Sequence, residues 1–331
     1  MTTLPGPVPV TAPAAPTGRS RRFRPSLTAL RLSPLARREA RWGYVFIGPW
    51  LIGFFVFTLA PMIASLAFTF TNLSLAQEQP LAFVGLRNWL TMLGDSQVWA
   101  SLGVTFRFAL LMLPVAMLLP FLLALGLNSR SVKGAGAFRV LFFLPYVIPF
   151  VSGVLIWQGM LNLETGWINV FLRFLGFENP PNWLNDTATI YPALVFIGIW
   201  GIGAGIIVNL AGLRSIPSEL YDAARIDGAG YWAQLRNVTV PMMSPVIFYT
   251  LILGIVEVLQ YFLVPLVVNN GTGEPGGSTA FFNLYLYKTF FTYQNMAYGA
   301  TLAWLLFIVT LVVSLVVFRS SQRWVYYAGE R

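Results

Sequence analysis

Two residue types are missing from this chain: none of its 331 residues is cysteine or histidine. Disulfide bonds, thiolate nucleophiles, histidine general bases and nearly all zinc or copper sites are therefore excluded. Charged residues are also scarce, at 10% of the chain, while hydrophobic residues make up 56%. A soluble protein carries about a quarter charged residues. The composition predicts an integral membrane protein and disfavours an enzyme, because the hydrophobic runs hold no paired carboxylates.

Six hydrophobic runs reach the length of about 20 apolar residues that a helix needs to cross a bilayer. They predict an all-α, polytopic membrane protein with six transmembrane helices, over about 44–70, 102–127, 140–160, 190–213, 246–268 and 298–318. Prolines interrupt the second and third runs, which is typical of helices that bend at a pathway or at a packing kink.

Residues 1–36 are rich in proline, alanine, serine, threonine and arginine, and they lack the apolar run of a signal peptide. This composition predicts a disordered basic tail ahead of a six-span membrane domain over residues 37–331. The same arginine-rich, acid-poor composition also fits an organellar transit peptide.

The net charge of +9 is explained by where the basic residues lie. They concentrate in the tail, in the second and fourth connections and after the sixth run. The opposite side has only Arg87, Arg173 and Lys288, with Arg107 inside the second run. Because basic residues stay on the cytoplasmic side, both termini and the connection at 214–245 are predicted to be cytoplasmic. The charge therefore does not indicate nucleic-acid binding.

The cytoplasmic connection at 214–245 is the longest internal polar stretch of the chain. Pro217 stands where a first helical turn is expected, with Ser215 as a candidate N-cap and Glu219 close behind. We expect a short helix there, ended by the glycines that follow.

A second short helix is predicted over 231–238, before Pro241, once Gly228 and Gly230 have broken the first. Two helices joined by a glycine break between two membrane spans suggest a docking element. A solvated connection that folds back on its own spans is the alternative.

The same connection carries a motif. Asp222-Ala223-Ala224, then Gly228, then two valines ahead of Pro241 resemble the coupling loop of binding-protein-dependent ABC importer permeases. The family pattern is Glu-Ala-Ala, a glycine after a short gap, and an aliphatic pair ending in proline. Here Asp222 stands in place of glutamate, and Val238 and Val240 in place of larger aliphatic residues.

Other stretches resemble the carbohydrate-uptake branch of that family in particular. These are FVGL at 83–86 with Asn88, FRVLFFLP at 138–145, and the region from Gly276 to Lys288. The resemblance runs from about Arg38 to the C-terminus.

The resemblance implies a coupling helix that inserts in a surface groove of a cytoplasmic ATPase. Carboxylates on it can pair with arginine or lysine of the partner, and small residues allow close seating. The implied ATPase-docking residues are Glu219, Asp222, Ala223, Ala224, Asp227 and Gly228.

The resemblance also implies the partners of this chain. They are a second permease subunit in a heterodimer, two cytoplasmic ATPases that bind ATP and Mg²⁺, an extracytoplasmic substrate-binding protein and a carbohydrate. The chain itself is then not an enzyme, binds no cofactor, and lies in a bacterial or archaeal inner membrane.

Glu257 is the one carboxylate well inside a predicted span, where a charge costs about 2.5 kcal/mol or more. Gln260 and Tyr261 follow three and four residues later, on the same face if the helix continues. With Asn209 they are candidates to line a polar sugar pathway. The alternatives are a paired, structural Glu257 and an interhelical hydrogen bond from Asn209.

No Walker phosphate loop occurs, and the glycines of WGIGAG at 200–205 suit close helix packing better than phosphate binding. The predicted function is the transmembrane subunit of an ABC importer for an oligosaccharide or a related polyol. A permease for a phosphorylated polyol would want cationic groups in its pathway, and only Arg107 is available. A secondary transporter is disfavoured by the lone deep carboxylate and the lack of an inverted repeat.

Overall fold

The computed structural model describes residues 34–76, 79–129 and 134–326. Within these residues every regular element is helical, and the β-pairing present is an isolated bridge between Thr71 and Phe83. The all-α prediction is therefore confirmed for this part of the chain. Residues 1–33 of the predicted tail lie outside the described residues, whereas residues 34–36 belong to the first helix.

The chain divides after Ala60 into two compact units. In the first, helix α1 (Pro34–Phe54) continues into a wider π-helical stretch (Phe55–Leu59). Aromatic pairs one turn apart line α1: the rings of Trp50 and Phe54 stack 5.6 Å apart. Such pairs at i and i+4 support a helix from within.

The second unit holds the remaining helices, of which the first begins on the last residue of the first unit. In chain order they are α2 (Ala60–Phe68), α3 (Arg87–Gly94), α4 (Ser96–Asn128), α5 (Ala135–Phe143), α6 (Phe150–Met160), α7 (Trp167–Phe174), α8 (Ile190–Ile199), α9 (Gly203–Ser215), α10 (Ser218–Ile226), α11 (Tyr231–Gln234), α12 (Val240–Leu259), α13 (Leu263–Val267), α14 (Phe282–Tyr287) and α15 (Met296–Ser321).

Four helical stretches among the described residues are long and apolar enough to cross a membrane: Pro34–Phe68, Ser96–Asn128, Tyr231–Gly271 and Met296–Ser321. Two further candidates are bent pairs, Gly136–Val147 with Phe150–Met160 at 99° and Ile190–Ile199 with Gly203–Ser215 at 57°. The prediction of a multi-pass membrane protein is confirmed. The third and fourth hydrophobic runs are not straight helices, and the count is four spans, or six if each bent pair is one span.

Helix α4 lies at the centre of the second unit, packed against α9 and α12. At the end of the bundle where α9 stops and α12 begins, a cluster of buried side chains includes Ala124, Ile206 and Met243. This cluster supports the short helix α10, which leaves the bundle at that end.

Glycine at 203 lets α9 approach its neighbours closely. A Cβ atom there would come within 2.2 Å of the Phe142 carbonyl oxygen, and one on Gly205 would lie 3.2 Å from Pro120. Gly201 has ordinary clearance, with its nearest neighbour at 3.7 Å. The packing role predicted for this glycine stretch therefore belongs to Gly203 and Gly205.

The opposite end of the bundle is held by Asp95, the N-cap of α4. Its Oδ1 accepts a 2.9 Å hydrogen bond from the Gln97 amide, and its Oδ2 accepts bonds from the hydroxyls of Tyr285 (2.6 Å) and Tyr298 (2.7 Å). Burial acts to raise the pKa of Asp95, but these hydrogen bonds outweigh it and hold the pKa below its ordinary value. One carboxylate thus joins α4, α14 and α15.

Candidate functional site

A short helix is present in the predicted connection, as α10, but it begins later than Ser215 and Pro217 suggested. Helix α9 runs on to Ser215, whose hydroxyl donates to the Gly212 carbonyl at 2.8 Å. Ser215 is therefore not the N-cap, and Pro217 precedes the first helical residue, Ser218. Ile216, the C-cap of α9, has an extended backbone and is buried in the cluster below α10, so the chain turns there between the two helices.

Helix α10 ends just before Gly228, as expected from the glycines that follow it. Gly228 has a φ of +78°, in the left-handed region that favours glycine. Its amide donates to the Arg225 carbonyl at 3.0 Å, and the amide of Ala229 donates to the Ala224 carbonyl at 2.8 Å. These two bonds form a Schellman motif, which turns the chain sharply and leaves α10 projecting as a separate short helix.

Five of the six predicted docking residues are exposed on this projection, and Ala224 is half-buried against the bundle. Asp222 already pairs with Arg225, one turn further along the same helix. Glu219 and Asp227 are exposed and have no ion pair within the described residues. An exposed pair within one helix is worth only about 0.3–0.5 kcal/mol, so Asp222 also remains available.

The second predicted helix, over 231–238, does not stop before Pro241. α11, a π-helical stretch (Leu235–Thr239) and α12 form one continuous helix into the fifth hydrophobic run. The prediction of a separate helix is wrong. The π-helical stretch ends at Thr239, two residues before Pro241. Proline has no N–H to donate and crowds the turn before it. The wider π turn leaves room for the proline ring, so the helix continues past it.

Sequence reasoning missed an apolar patch beside α10. Ile226 is 87% exposed and Trp232 is 76% exposed, and Tyr231 packs its ring edge-on against Trp232 at 5.5 Å. We call these three residues the apolar patch. The available signal was three large apolar side chains flanking the glycines of an otherwise polar connection. Large exposed apolar groups of this kind mark protein or membrane contacts.

The pathway candidate Asn209 is 4% exposed and bonds inside its own helix. Its Nδ2 donates to the Gly205 carbonyl at 2.8 Å. The structure therefore shows an intrahelical hydrogen bond in place of the interhelical bond considered above.

Glu257, Gln260 and Tyr261 do not share one helix face, because α12 ends at Leu259. Glu257 and Gln260 are exposed, with Gln260 at the C-cap. Tyr261 lies beyond the helix end, where its ring packs 4.7 Å from Phe108 and 5.1 Å from Phe281. Its hydroxyl is buried and has no hydrogen-bond partner among the described residues.

Gln260 opens into a groove of about 560 Å³ between α12, α14 and α15. Asn283 lines the same groove and donates through Nδ2 to the Gln260 carbonyl at 2.8 Å. The rest of the wall is largely aliphatic, with Thr310 and Ser314 as further polar groups. Within the described residues no acidic cluster is suited to a metal ion.

Comparison with curated proteins finds relatives across almost the whole chain. The probable ABC transporter permease protein YesP of Bacillus subtilis is 32% identical over 304 residues, which cover 91% of this chain and 97% of the relative. The trehalose/maltose transport system permease protein MalF of Thermococcus litoralis is 32% identical over 286 residues, covering 86% and 95%.

Among solved structures, the fold matches a bacterial alginate ABC transporter crystallised in complex with an alginate pentasaccharide-bound periplasmic protein. The TM-score is 0.74 at 23% identity, over 86% of this chain and 96% of the other. Residues 106–326, well over half of the chain, match the family model described as binding-protein-dependent transport system inner membrane component. The family resemblance seen in the coupling motif is confirmed, and the chain belongs to the binding-protein-dependent transport system inner membrane component family.

Proposed function

We propose that this chain is a permease subunit of an ATP-driven ABC importer that moves a carbohydrate, an oligosaccharide or a related polyol, into the cytoplasm. The observation that carries the proposal is α10, a short exposed helix with the family's motif. It projects from the end of the bundle where α9 and α12 meet. The relative from Thermococcus litoralis is named for trehalose and maltose, and the matched crystal structure for alginate, which favours a carbohydrate.

In the proposed complex, two cytoplasmic ATPases bind ATP and Mg²⁺ and take hold of α10 through Glu219, Asp222, Ala223, Asp227 and Gly228, with Ala224 seated behind. The apolar patch extends the contact. Closure of the ATPases displaces α10, and the spans reorient between outward-facing and inward-facing states. This chain provides the contact surface for the ATPases, and the partner chains hydrolyse ATP.

The proposed arrangement places six spans in the inner membrane with both termini in the cytoplasm. A second, different permease completes the pathway, and an extracytoplasmic binding protein delivers the sugar. Glu257 and Gln260 face that pathway: both are exposed on this chain, and both fall inside the fifth hydrophobic run. Asn209, which is buried, and Tyr261, whose hydroxyl is buried, support the wall of the pathway without reaching the substrate.

Copurification tests the docking proposal. A tag on this chain should recover the ATPases from its source cells, and Gly228→Trp should abolish that recovery, because a bulky side chain at a left-handed turn displaces the end of α10. Gly176→Trp is the matched control, since Gly176 has a φ of +93° and open space around it but lies in another connection. ATPase recovery that survives Gly228→Trp would contradict docking through α10.

A further inference from the structure

Tyr221 is the side chain of α10 that reaches back to the membrane spans. The residues of α10 on the outward face are Glu219, Asp222, Ala223 and Ile226, all exposed, whereas Tyr221 and Ala224 are half-buried. The Tyr221 hydroxyl lies 3.0 Å from Thr239 Oγ1. Ala224 has no polar side-chain group, so Tyr221 provides the polar link on this face.

Thr239 is positioned to accept the hydrogen bond from Tyr221. It is 5% exposed and is the last residue of the π-helical stretch that leads directly into α12. Its hydroxyl also lies 3.4 Å from the Gln234 carbonyl, to which it donates. Tyr221 then donates to Thr239 Oγ1, and both hydroxyls are satisfied. When α10 moves away, the half-buried Tyr221 hydroxyl loses its acceptor, so the hydrogen bond favours one position of α10.

The rest of the connection allows α10 to move. Two residues, Ile216 and Pro217, join it to α9, and the left-handed Gly228 joins it to the next helix. The Gln234 side chain donates to the Ala229 carbonyl at 2.7 Å and so ties the glycine turn to α11. Because α11, the π stretch and α12 are continuous, a pull on Thr239 acts on the root of the fifth span.

We propose that the Tyr221–Thr239 hydrogen bond transmits the displacement of α10 to the fifth span, which makes Tyr221 and Thr239 positioning residues for transport. This inference rests on the proposed function, in which an ATPase moves α10. It separates two roles on one helix: the outward face holds the ATPase, and the inward tyrosine passes its motion on. Loss of the hydroxyl should therefore leave docking intact and weaken the response of the membrane helices to nucleotide.

The absence of cysteine from the chain makes the test direct. Leu253→Cys places a single thiol at an exposed position of α12. The full complex is purified through this chain, and the rate at which a maleimide modifies that thiol is followed by the mass shift of the chain. The rate is compared without nucleotide and with Mg²⁺ and a non-hydrolysable ATP analogue.

Without further substitution, nucleotide should change the modification rate. Tyr221→Phe and Thr239→Val should each reduce that change by about fivefold, as expected for loss of one neutral hydrogen bond, while ATPase recovery stays the same. The double variant should be no worse than either single variant, since both remove the same bond. Tyr326→Phe is the control, because this tyrosine contacts Ser244 through its backbone amide and not through its hydroxyl.

The outcomes separate the inference from the proposed function. An unchanged nucleotide response in Tyr221→Phe, or additive effects in the double variant, would overturn the inference and leave the proposed function standing. Loss of the ATPases from Tyr221→Phe would overturn it too, since Tyr221 would then act in docking. Failure of the parent complex to contain an ATPase, or to respond to nucleotide, would overturn the proposed function itself.

Discussion

The hydroxyl of Tyr298 donates a 2.7 Å hydrogen bond to Asp95, a residue 203 positions earlier in the chain. Tyr285 donates to the same carboxylate oxygen, while the other oxygen caps the first turn of α4. The first long helix of the second unit and the last one are thereby joined at one end by a single side chain. Helix α10 leaves the bundle at the other end, so the Asp95 junction and α10 lie at opposite ends of the second unit.

Asp95→Ala should lower the stability of the purified protein in detergent. Hydrogen bonds to charged groups contribute about 1.5–3 kcal/mol each, and the substitution removes two of them together with the cap, so a loss of at least about 3 kcal/mol is expected. The melting temperature followed by tryptophan fluorescence measures it. Glu178→Ala, at an exposed acidic residue of another connection, should melt with the parent protein. Equal melting of Asp95→Ala and the parent would refute a role for the junction.

The contribution of Asp95 should depend on pH only at the extremes. Its pKa is lower in the folded protein than the ordinary value of 3.8, so its contribution is present above that value and is lost as the pH falls through the folded pKa. Burial, together with the bond to Asp95, raises the pKa of Tyr285 to about 12. The neutral phenol therefore contributes below its ordinary pKa, and that contribution is lost as the pH rises through about 12.

The difference in melting temperature between the parent and Asp95→Ala should be constant from about pH 5 to about pH 9 and should shrink outside that window. Melting curves recorded across the range measure it. A difference that changes near neutral pH would show that another titrating group controls this end of the bundle.

Glu219→Lys should weaken ATPase recovery more than Asp222→Asn does. Glu219 is exposed and free of ion pairs among the described residues, whereas Asp222 already shares its charge with Arg225. A charge reversal replaces attraction by repulsion at a basic partner, and about a tenfold loss of affinity is expected for Glu219→Lys. Titration of detergent-purified permease with the ATPase gives the affinities. Equal losses would mean that the Asp222–Arg225 pair opens on docking.

The hydrophobic runs predict the spans well where nothing interrupts them. The run at 298–318 corresponds closely to α15, Met296–Ser321. The sequence does not predict the end of α12, because the residue after the helix is Gln260 and not a helix-breaking glycine or proline. The chain leaves the helix there as the Tyr261 ring enters a cluster with Phe108 and Phe281, and contacts between residues so distant in sequence have no periodic signature.

Only part of the proposed docking site could be predicted from the sequence. Its exposed carboxylates and the glycine end of α10 follow from local chemistry, so the motif and the glycine predict them. The Tyr221–Thr239 bond depends on how the Gly228 turn folds α10 back over the π stretch. A tyrosine and a threonine 18 residues apart carry no such information by themselves.

Glu257→Ala should reduce uptake while ATPase recovery persists. An exposed carboxylate in the fifth span is costly in lipid, by about 2.5 kcal/mol on insertion scales, and is retained where it meets a polar pathway or a partner. Uptake into proteoliposomes of a labelled carbohydrate that the parent complex imports, at matched amounts of complex, measures the effect. Leu253→Ala, four residues earlier on the same helix, is the control for truncation. Unchanged uptake in Glu257→Ala would remove this residue from the pathway, and loss of the second permease from the complex would assign Glu257 to the interface between subunits.

Gly203→Ala should destabilise the protein strongly, and Gly201→Ala should not. A methyl group at 203 would meet the Phe142 carbonyl at 2.2 Å, and the obstacle is backbone, which cannot rotate away as a side chain would. Overpacking of this kind typically costs about 1–3 kcal/mol. At 201 the nearest atom lies at 3.7 Å, an ordinary contact, although the two glycines are only two residues apart. Melting temperatures of the two variants should therefore separate by several degrees, and a Gly203→Ala variant as stable as Gly201→Ala would show that α9 is free to move away from Phe142.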